Sequence, residues 1–485
     1  VSDLLGIGKS GLFASKESMA TTSHNIANAN TDGFSKQELR QETGITLREG
    51  DYVIGTGTNI ASIKRNHDNL VEKKLNKALT QHNFNEERST QLGQVEEIFN
   101  EINSDGMNKI LNRFFNSFRE LANQPDNETI RGMVRENARI VTGDFHRIQD
   151  NIDHQKNHIN KQLDLIIGDV NSLTKNIANL NKEIAAVEVS GAHANDLRDQ
   201  RDRDLRSLSE YFPVNAYDDE KNQFVVSVDG IGSLVAGEVT QELATGSTVG
   251  SGNKAEDKGA SEVFFKSRPG NPISQGFKSG KIGALIKTRT DELYKVEREL
   301  DQLAHGLVLS TNAIHRRGFA NIPVDPELEK RGLASSSKAT GINFFKEPLD
   351  LKRAAEYIDL SDEVKEDVNN IATALAPNSP GDNRLAIAIS KLQHEKILDG
   401  GTTSFEEHYQ KTVGHLGLVS GKTKVEMEQS GGILAQAKSI KERISGVSLD
   451  EEAANMVRYQ NAYEASAKVI RAADEMFKTV LGIME

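Results

Sequence analysis

The stretch LDLIIGDVNSLTKNIANLNKEIAAV, residues 163–187, decides the fold class. Leu163, Val170, Ile177 and Ile184 recur every seven residues, and Ile166, Leu173, Leu180 and Val187 fill a second position at the same interval. Two apolar rows sustained over four heptads mark a long helix that buries a stripe against neighbours. Ile286, Leu293, Leu300, Leu307 and Ile314 repeat the spacing. Both tracts read as the core of one helical bundle.

Working outward, the same interval reaches both ends of the chain. Leu5, Leu12, Met19 and Ile26 form a row at the front; Leu449, Met456, Tyr463, Ile470, Phe477 and Met484 form one at the back. Chain ends ordinarily fray, and an isolated helix of about 25 residues is marginal in water. Burying each such side chain is worth roughly 1.5–3 kcal/mol, so a terminal seam calls for a partner. That partner is the other terminus, another copy, or both. The ends are therefore expected to be loose in a lone chain and ordered in an assembly. The interface is expected at Leu5, Leu12, Met19 and Ile26 with Leu449, Met456, Tyr463, Ile470 and Phe477. Gly8, Ser15 and Thr22, three past each front position, leave a shallow groove where a second helix lies close.

Between these landmarks the chain is punctuated. Residues 1–27 read as helix, and Asn28 to Phe34 as a turn with Gly33 available for positive φ. Asn28, Thr31 and Gly33 set the way out of the terminal layer. Residues 35–63 look extended. Helix follows over 68–122 with a break near Ser104–Gly106, a second break at Gln124–Asn127, and helix again over 128–187 and 195–211. From Phe212 to about Gly280 runs such as Phe224-Val225-Val226-Ser227-Val228 alternate among Gly, Ser and Thr, the pattern of a small β domain. Residues 318–380 are loop-like and mixed, helices return over 383–440, and Ser448 stands as N-cap of the last helix. The fold class is mainly α with a β insertion. The expected layout is nested: 1–34 with 446–485, 35–211 with 281–445, and an inserted β domain at 212–280.

Hydrophobic residues make up 36% of the 485, which suits an elongated helical protein with much solvated surface. A net charge of −12 argues against nucleic acid and against an anionic membrane as partners. There is no cysteine, hence no disulfide or thiolate metal site. No stretch approaches a membrane span. The N-terminus lacks the layout of a cleaved signal peptide.

Three segments carry more than periodicity. Asn25-Ile26-Ala27-Asn28-Ala29-Asn30-Thr31-Asp32-Gly33-Phe34 resembles the N-terminal signature of bacterial flagellar rod, hook and hook-associated axial proteins. Ala194 to Asp202, ANDLRDQRD, is similar to a segment typical of the hook–filament junction members of that family. Ser445 to Met456, SGVSLDEEAANM, with Tyr459-Gln460-Asn461-Ala462-Tyr463 after it, is similar to their C-terminal motif. The resemblance implies concentric layers, with a terminal helix pair lining the channel of a tubular assembly, a helical domain around it and a β domain outside. It implies self-association, contact with hook protein and with the third hook-associated protein, and an export chaperone on the C-terminal helix. It also implies an extracellular place in the flagellum, reached through the flagellar type III secretion apparatus without signal cleavage. Larger members carry a second β insertion after the Phe-Phe step. Here Phe344-Phe345 is followed by a short charged stretch, so one outer domain is expected.

Chemistry is sparse. Asp196, Arg198, Asp199, Arg201, Asp202, Arg203, Asp204 and Arg206 interleave, and the arginines pair the carboxylates and repel a cation, so the run reads as a structural ion-pair network. His146, Asp150, His154 and His158 share a helical stripe, read as a solvated face rather than a zinc site. Gly55-Thr56-Gly57 and Gly230-Ile231-Gly232 lack the context of a dinucleotide loop. No catalytic, cofactor or metal site is assigned. The reading is a non-enzymatic structural subunit joining hook to filament. Its rivals are a hook or rod subunit, a coiled-coil scaffold unrelated to flagella, and an enzyme on a helical stalk with its catalytic set in 212–400.

Overall fold

The computed structural model describes residues 2–49, 52–99, 106–221, 223–247, 261–348 and 350–484. The first helix, α1 (Ser2–Ala27), leads through a turn into four strands, β1 (Gln37–Thr43), β2 (Leu47–Glu49), β3 (Tyr52–Ile54) and β4 (Thr58–Arg65). β1 pairs antiparallel with β4, with a bulge at Arg40/Gln41, so the stretch expected to be extended forms a long two-stranded arm. Helices α2 (Asn69–Ile98), α3 (Met107–Asn123), α4 (Glu128–Glu188) and α5 (Asn195–Tyr211) follow. Of the break expected near Ser104–Gly106, residues 104 and 105 lie outside the described residues; α3 begins directly after Gly106. The break at 124–127 ends on Asn127, whose side chain accepts from the Thr129 and Ile130 amides and starts α4. Asp68 starts α2 in the same way.

Strands β5 (Asn215–Asp218), β6 (Phe224–Val228), β7 (Gly232–Ala236) and β8 (Val239–Thr240) form one antiparallel sheet in that order. β9 (Leu243–Ser247) pairs with β10 (Ser261–Phe265). Residues 222 and 248–260 of this expected β region lie outside the described residues. The chain returns to the bundle through α6 (Gly280–Lys287), a π-helical turn at Thr288–Leu293 and α7 (Tyr294–His315). Short helices α8 (Pro326–Lys330), α9 (Ala354–Tyr357), α10 (Asp362–Glu366) and α11 (Arg384–Lys391) punctuate an irregular region. Then come α12 (Phe405–Ser445), opened by a Ser404/Glu407 capping box, and α13 (Leu449–Met484). The chain is mainly α with a β insertion.

One core runs through the bundle and into the β region. Phe114, Phe118, Phe344 and Phe345 are fully buried with ring centroids 4.9–5.9 Å apart, which pins the Phe-Phe step against α3. In α4 the two apolar rows are not equivalent. Leu163, Val170, Ile177 and Ile184 are buried, whereas Ile166, Leu173 and Leu180 are half-buried and Val187 is exposed. The buried companions are Ile167, Thr174 and Asn181, one residue further round the helix. α4 is covered there by α5 and the β region rather than by one parallel helix. Asn181 donates to Gly237 O at 2.9 Å, and Asn171 exchanges two bonds with Leu243. In the second tract Ile286, Leu293, Leu300 and Leu307 are buried and Ile314 is half-buried.

Candidate functional site at the base of the terminal helices

α1 and α13 lie side by side, and the row of α1 that meets α13 is small, not large. A Cβ on Gly8 would sit 2.8 Å from Ile470 Cγ1, and one on Gly11 would sit 2.9 Å from Ser466 Oγ. Ser15, Ser18 and Thr21 are buried and spend their hydroxyls on the carbonyls one turn back, at Gly11, Ala14 and Glu17. An adjoining side of α1, which includes Ser18, rests on the β1–β4 arm. Gln41 donates to Ser18 Oγ, Thr58 N donates to Ser10 Oγ, and Gly57 at φ +106 leaves no room for a side chain above Ile7 and Ser10.

The apolar heptad of α1 therefore points elsewhere. Leu5 and Ile26 are exposed, and Leu12 and Met19 are half-buried. On α13 Leu449 and Phe477 are exposed, while Met456, Tyr463 and Ile470 are half-buried, with Ile470 over Gly8. The Met484 side chain lies outside the described residues. The pattern extends beyond the expected residues to Leu4, Phe13, Val457, Val469, Met476, Val480 and Leu481, all exposed. The signal for these was in the sequence, since several sit one position from a heptad residue and widen its stripe.

At the base of this pair the three motif segments meet. Asn25 is buried; its amide donates to Gln37 O at 2.9 Å and accepts from Gln37 N at 3.0 Å, as a strand neighbour would, and it donates to Glu452 Oε2 at 3.1 Å. Glu452, in the first turn of α13, is also buried. Its other oxygen lies 3.1 Å from Lys36 Nζ, which also reaches Glu451. Lys36 N donates to Ser445 O at the end of α12. From the second segment, Asp199 accepts from Ser35 N at 2.9 Å and from Arg65 at 2.8 Å, and Arg65 also holds Asp202. Gln37 donates to Asp196 at 2.7 Å, and Asn195 donates to Gln37 Oε1 and Ile63 O.

The turn between α1 and β1 completes the arrangement. Asn28 donates to His24 O, and Thr31 donates through its backbone and hydroxyl to Asn28. Gly33 is buried at φ +80, with Arg203 of α5 3.4 Å from where a Cβ would be. The acidic–basic run of α5 is thus a set of ion pairs: Arg65 with Asp199 and Asp202, Arg198 with Glu188, Arg206 with Glu72. Arg201 stacks on Phe224 and donates to Asn181, carrying the connection to the β region. Burial pulls the Lys36 ammonium down, but the Glu452 and Glu451 carboxylates outweigh it and hold its pKa above the ordinary value. Arg198 likewise holds Glu188 below the usual carboxylate range.

Sequence reasoning identified the segments, Glu452 within the third of them, but missed Lys36, Gln37 and Arg65, single polar residues with no local pattern. The His146–His158 stripe is not gathered into a site; His146 is hydrogen-bonded to Ile358 O at 2.8 Å. Among the described residues, Glu299, Asp399 and His408 form a group with metal-ligand spacing, away from this junction.

Comparison with known proteins matches the same order. Three family models fit successive parts of the chain. They are the flagella basal body rod protein over residues 5–34, the flagellar hook-associated protein FlgK helical domain over 92–322, and the flagellar basal body rod FlgEFG protein C-terminal over 443–483. Flagellar hook-associated protein 1 of Bacillus subtilis is 25% identical, with 99% of this chain and 98% of that protein covered. Its counterpart in Escherichia coli is 23% identical over the whole of both chains. The solved structure of the flagellar hook junction protein FlgK from Burkholderia pseudomallei shares the fold, with a TM-score of 0.63 at 15% identity, over 77% of this chain and all of that one. With family models at both ends and in the middle, and full-length relatives of one kind, the chain belongs to the flagellar hook-associated protein 1 family.

Proposed function

We infer that this chain is a structural subunit of the bacterial flagellum that joins hook to filament, and that it does so through its terminal helices. The observation that carries the mechanism is the pairing of α1 with α13. Within the chain they touch through small residues, which leaves Leu5, Phe13, Ile26, Leu449, Phe477 and their neighbours facing outward. An apolar face of this extent on a two-helix unit marks an interaction surface. Copies of the same pair supply the complementary surface in a tubular array, with Leu12, Met19, Met456, Tyr463 and Ile470 half-covered at its edge.

The polar junction is the rigid base of that unit. On this reading 1–34 with 446–485 form the inner assembly domain, 35–211 with 281–445 the surrounding bundle, and 212–280 the outer domain. Asn28, Thr31 and Gly33 fix where the chain leaves the inner layer. The partners proposed are hook protein on one side and the third hook-associated protein on the other. A chaperone covers the α13 face before export through the flagellar secretion channel. The role is mechanical and not enzymatic.

Truncation tests the mechanism. Removing residues 1–34, or 447–485, leaves a folded soluble core that no longer attaches filament to hook. Attachment by either truncated protein would show that the terminal helices are dispensable.

A further inference from the structure

We propose that His408 is a buried imidazolium that latches the turn over residues 397–403 and the first turn of α12 onto α7, and that the latch opens when the ring gives up a proton. His408 has 1% of its surface exposed. Its two ring nitrogens face two different carboxylates. Nε2 lies 3.4 Å from Glu299 Oε2 and 3.1 Å from the Glu299 carbonyl oxygen on α7. Nδ1 lies 3.4 Å from Asp399 Oδ1 in the turn. A carbonyl only accepts, so Nε2 carries a proton. Among the described residues Nδ1 has no hydrogen-bond partner. A bare lone pair there would face a carboxylate oxygen, two acceptors repelling each other beside a buried ring. A second N–H turns that contact into an attraction.

The surrounding charges call for the same proton. Glu299 and Asp399 bring two negative charges, and Lys411 Nζ balances one of them, 2.9 Å from Asp399 Oδ2. A neutral ring leaves one negative charge uncompensated; an imidazolium leaves none. Lys411, and after it His408, holds the Asp399 carboxyl below its ordinary pKa, so the proton belongs to the ring and not to the carboxylate. The other ionisable groups nearby are engaged elsewhere. Lys295 of α7 lies 2.9 Å from His415, Glu292 lies 2.6 Å from Arg88, and Glu407, beside Lys396, accepts from Ser404 N at 2.8 Å. α2 and α3 meet this end of α12 through Phe99 and Phe115, against Tyr409 and Phe405.

The latch closes a turn with a conformation that needs holding. Asp399 stands at φ +52, with Gly400 and Gly401 at +72 and +88 after it. Leu398 N donates to Thr403 O at 3.0 Å, and the Leu398 side chain sits on Gly306 of α7, where a Cβ would collide with it. Once the ring is neutral, Asp399 loses its hold on α12 and Leu398 lifts from Gly306. The sign follows from linkage. A free imidazole gives up its proton near pH 6.5, whereas the latch keeps it. The stabilisation is therefore complete at about pH 6.5 and is lost as alkali removes the proton from the folded chain.

The test is nitrogen NMR of the full chain, labelled with nitrogen-15 in its imidazole rings, at pH 7.5. The His408 signals are those that vanish in His408→Gln or, if that chain fails to fold, those that shift in Asp399→Asn. Asn tolerates positive φ, so D399N keeps the shape of the turn and removes its charge; far-UV circular dichroism confirms the fold of each variant. The expected result is two protonated ring nitrogens in the wild-type chain and one in D399N. The wild-type chain should also melt about 2–4 °C above H408Q at pH 6.5 and lose that margin by pH 9.5. A purely packing role for the ring would hold the margin constant. A single protonated nitrogen at His408 in the wild-type chain overturns the proposal. So do two protonated nitrogens in D399N, no signal that shifts in D399N, or a margin over H408Q that does not change with pH.

Discussion

Asn25 satisfies both backbone groups of Gln37 and reaches Glu452 as well, so its side chain replaces a missing strand neighbour. Asn25→Ala leaves a buried N–H and a buried C=O unpaired, each costing about 1–3 kcal/mol. The expected result is a base of α1 that opens before the bundle melts, seen as fast amide exchange at Gln37 with little change at Phe114 or Phe344. A second prediction concerns acid. Burial pushes the His315 imidazole down to about 4, against the pull of the Ile342 carbonyl, and its Nε2 accepts from Ala372 N. The unfolded chain takes up that proton near pH 6.5 and the folded chain does not, so stability falls as pH drops from 6.5 towards 4. Asp301 has the opposite sign. Burial raises it to about 6 in spite of the Ala355 and Arg353 amides that donate to it, so the folded state gains protons first and stability rises as pH falls from 6 towards 3.8. Asp301→Asn should therefore steepen the loss of melting temperature between pH 6 and 4, and His315→Gln should flatten it. Melting curves at fixed ionic strength across that range check both signs.

At the scale of elements, the close approach of α1 to α13 rests on Gly8 and Gly11. Gly8→Val drives branched carbons into Ile470 and should part the two helices. The expected readout is protease cleavage within residues 1–34 and 447–485 while the bundle keeps its melting temperature. Ile470→Ala in the same chain should restore much of the protection. Gly8 also shows what the sequence made legible. Element type followed from apolar period and caps: α1, α4 and α13 fall where heptads and cap residues place them. Facing did not follow, because a seven-residue apolar row says only that a stripe is covered and not by what. The covering surface of α4 is a short helix and a sheet, and polar residues take core positions because their side chains are satisfied there: Asn181 donates to Gly237 O of the β region and Thr174 to Asn171 O one turn back in α4. On α1 the glycines that meet α13 carry no hydrophobic signal; Gly8 stood out only as part of a groove for a second helix, and Gly11 did not stand out at all. The junction was half legible: its three motifs stand out in the chain, while Lys36 and Arg65, which lie outside them, gain meaning only once folding brings them to Glu452 and Asp199, far away in sequence.

For the whole molecule, the decisive asymmetry is between a bundle with a closed aromatic core and a two-helix unit whose apolar side chains stay in water. Leu5 is 47% exposed and Phe477 53% exposed, so replacing either with aspartate removes few contacts inside the chain. Surface changes of that kind ordinarily move stability by no more than about 0.5 kcal/mol. In the tube proposed above, however, a neighbouring subunit would cover each such residue, and a buried carboxylate without a counter-charge is far more costly than a lost apolar contact. Leu5→Asp and Phe477→Asp should therefore leave the melting temperature and helical content of the dilute full chain nearly unchanged. In a strain that makes only the variant, both should abolish swimming and release flagellin into the medium. A drop in monomer stability large enough to explain the defect would place these side chains in the chain's own interior. Full motility with both aspartates would show that the outward faces of α1 and α13 meet nothing in the assembled flagellum.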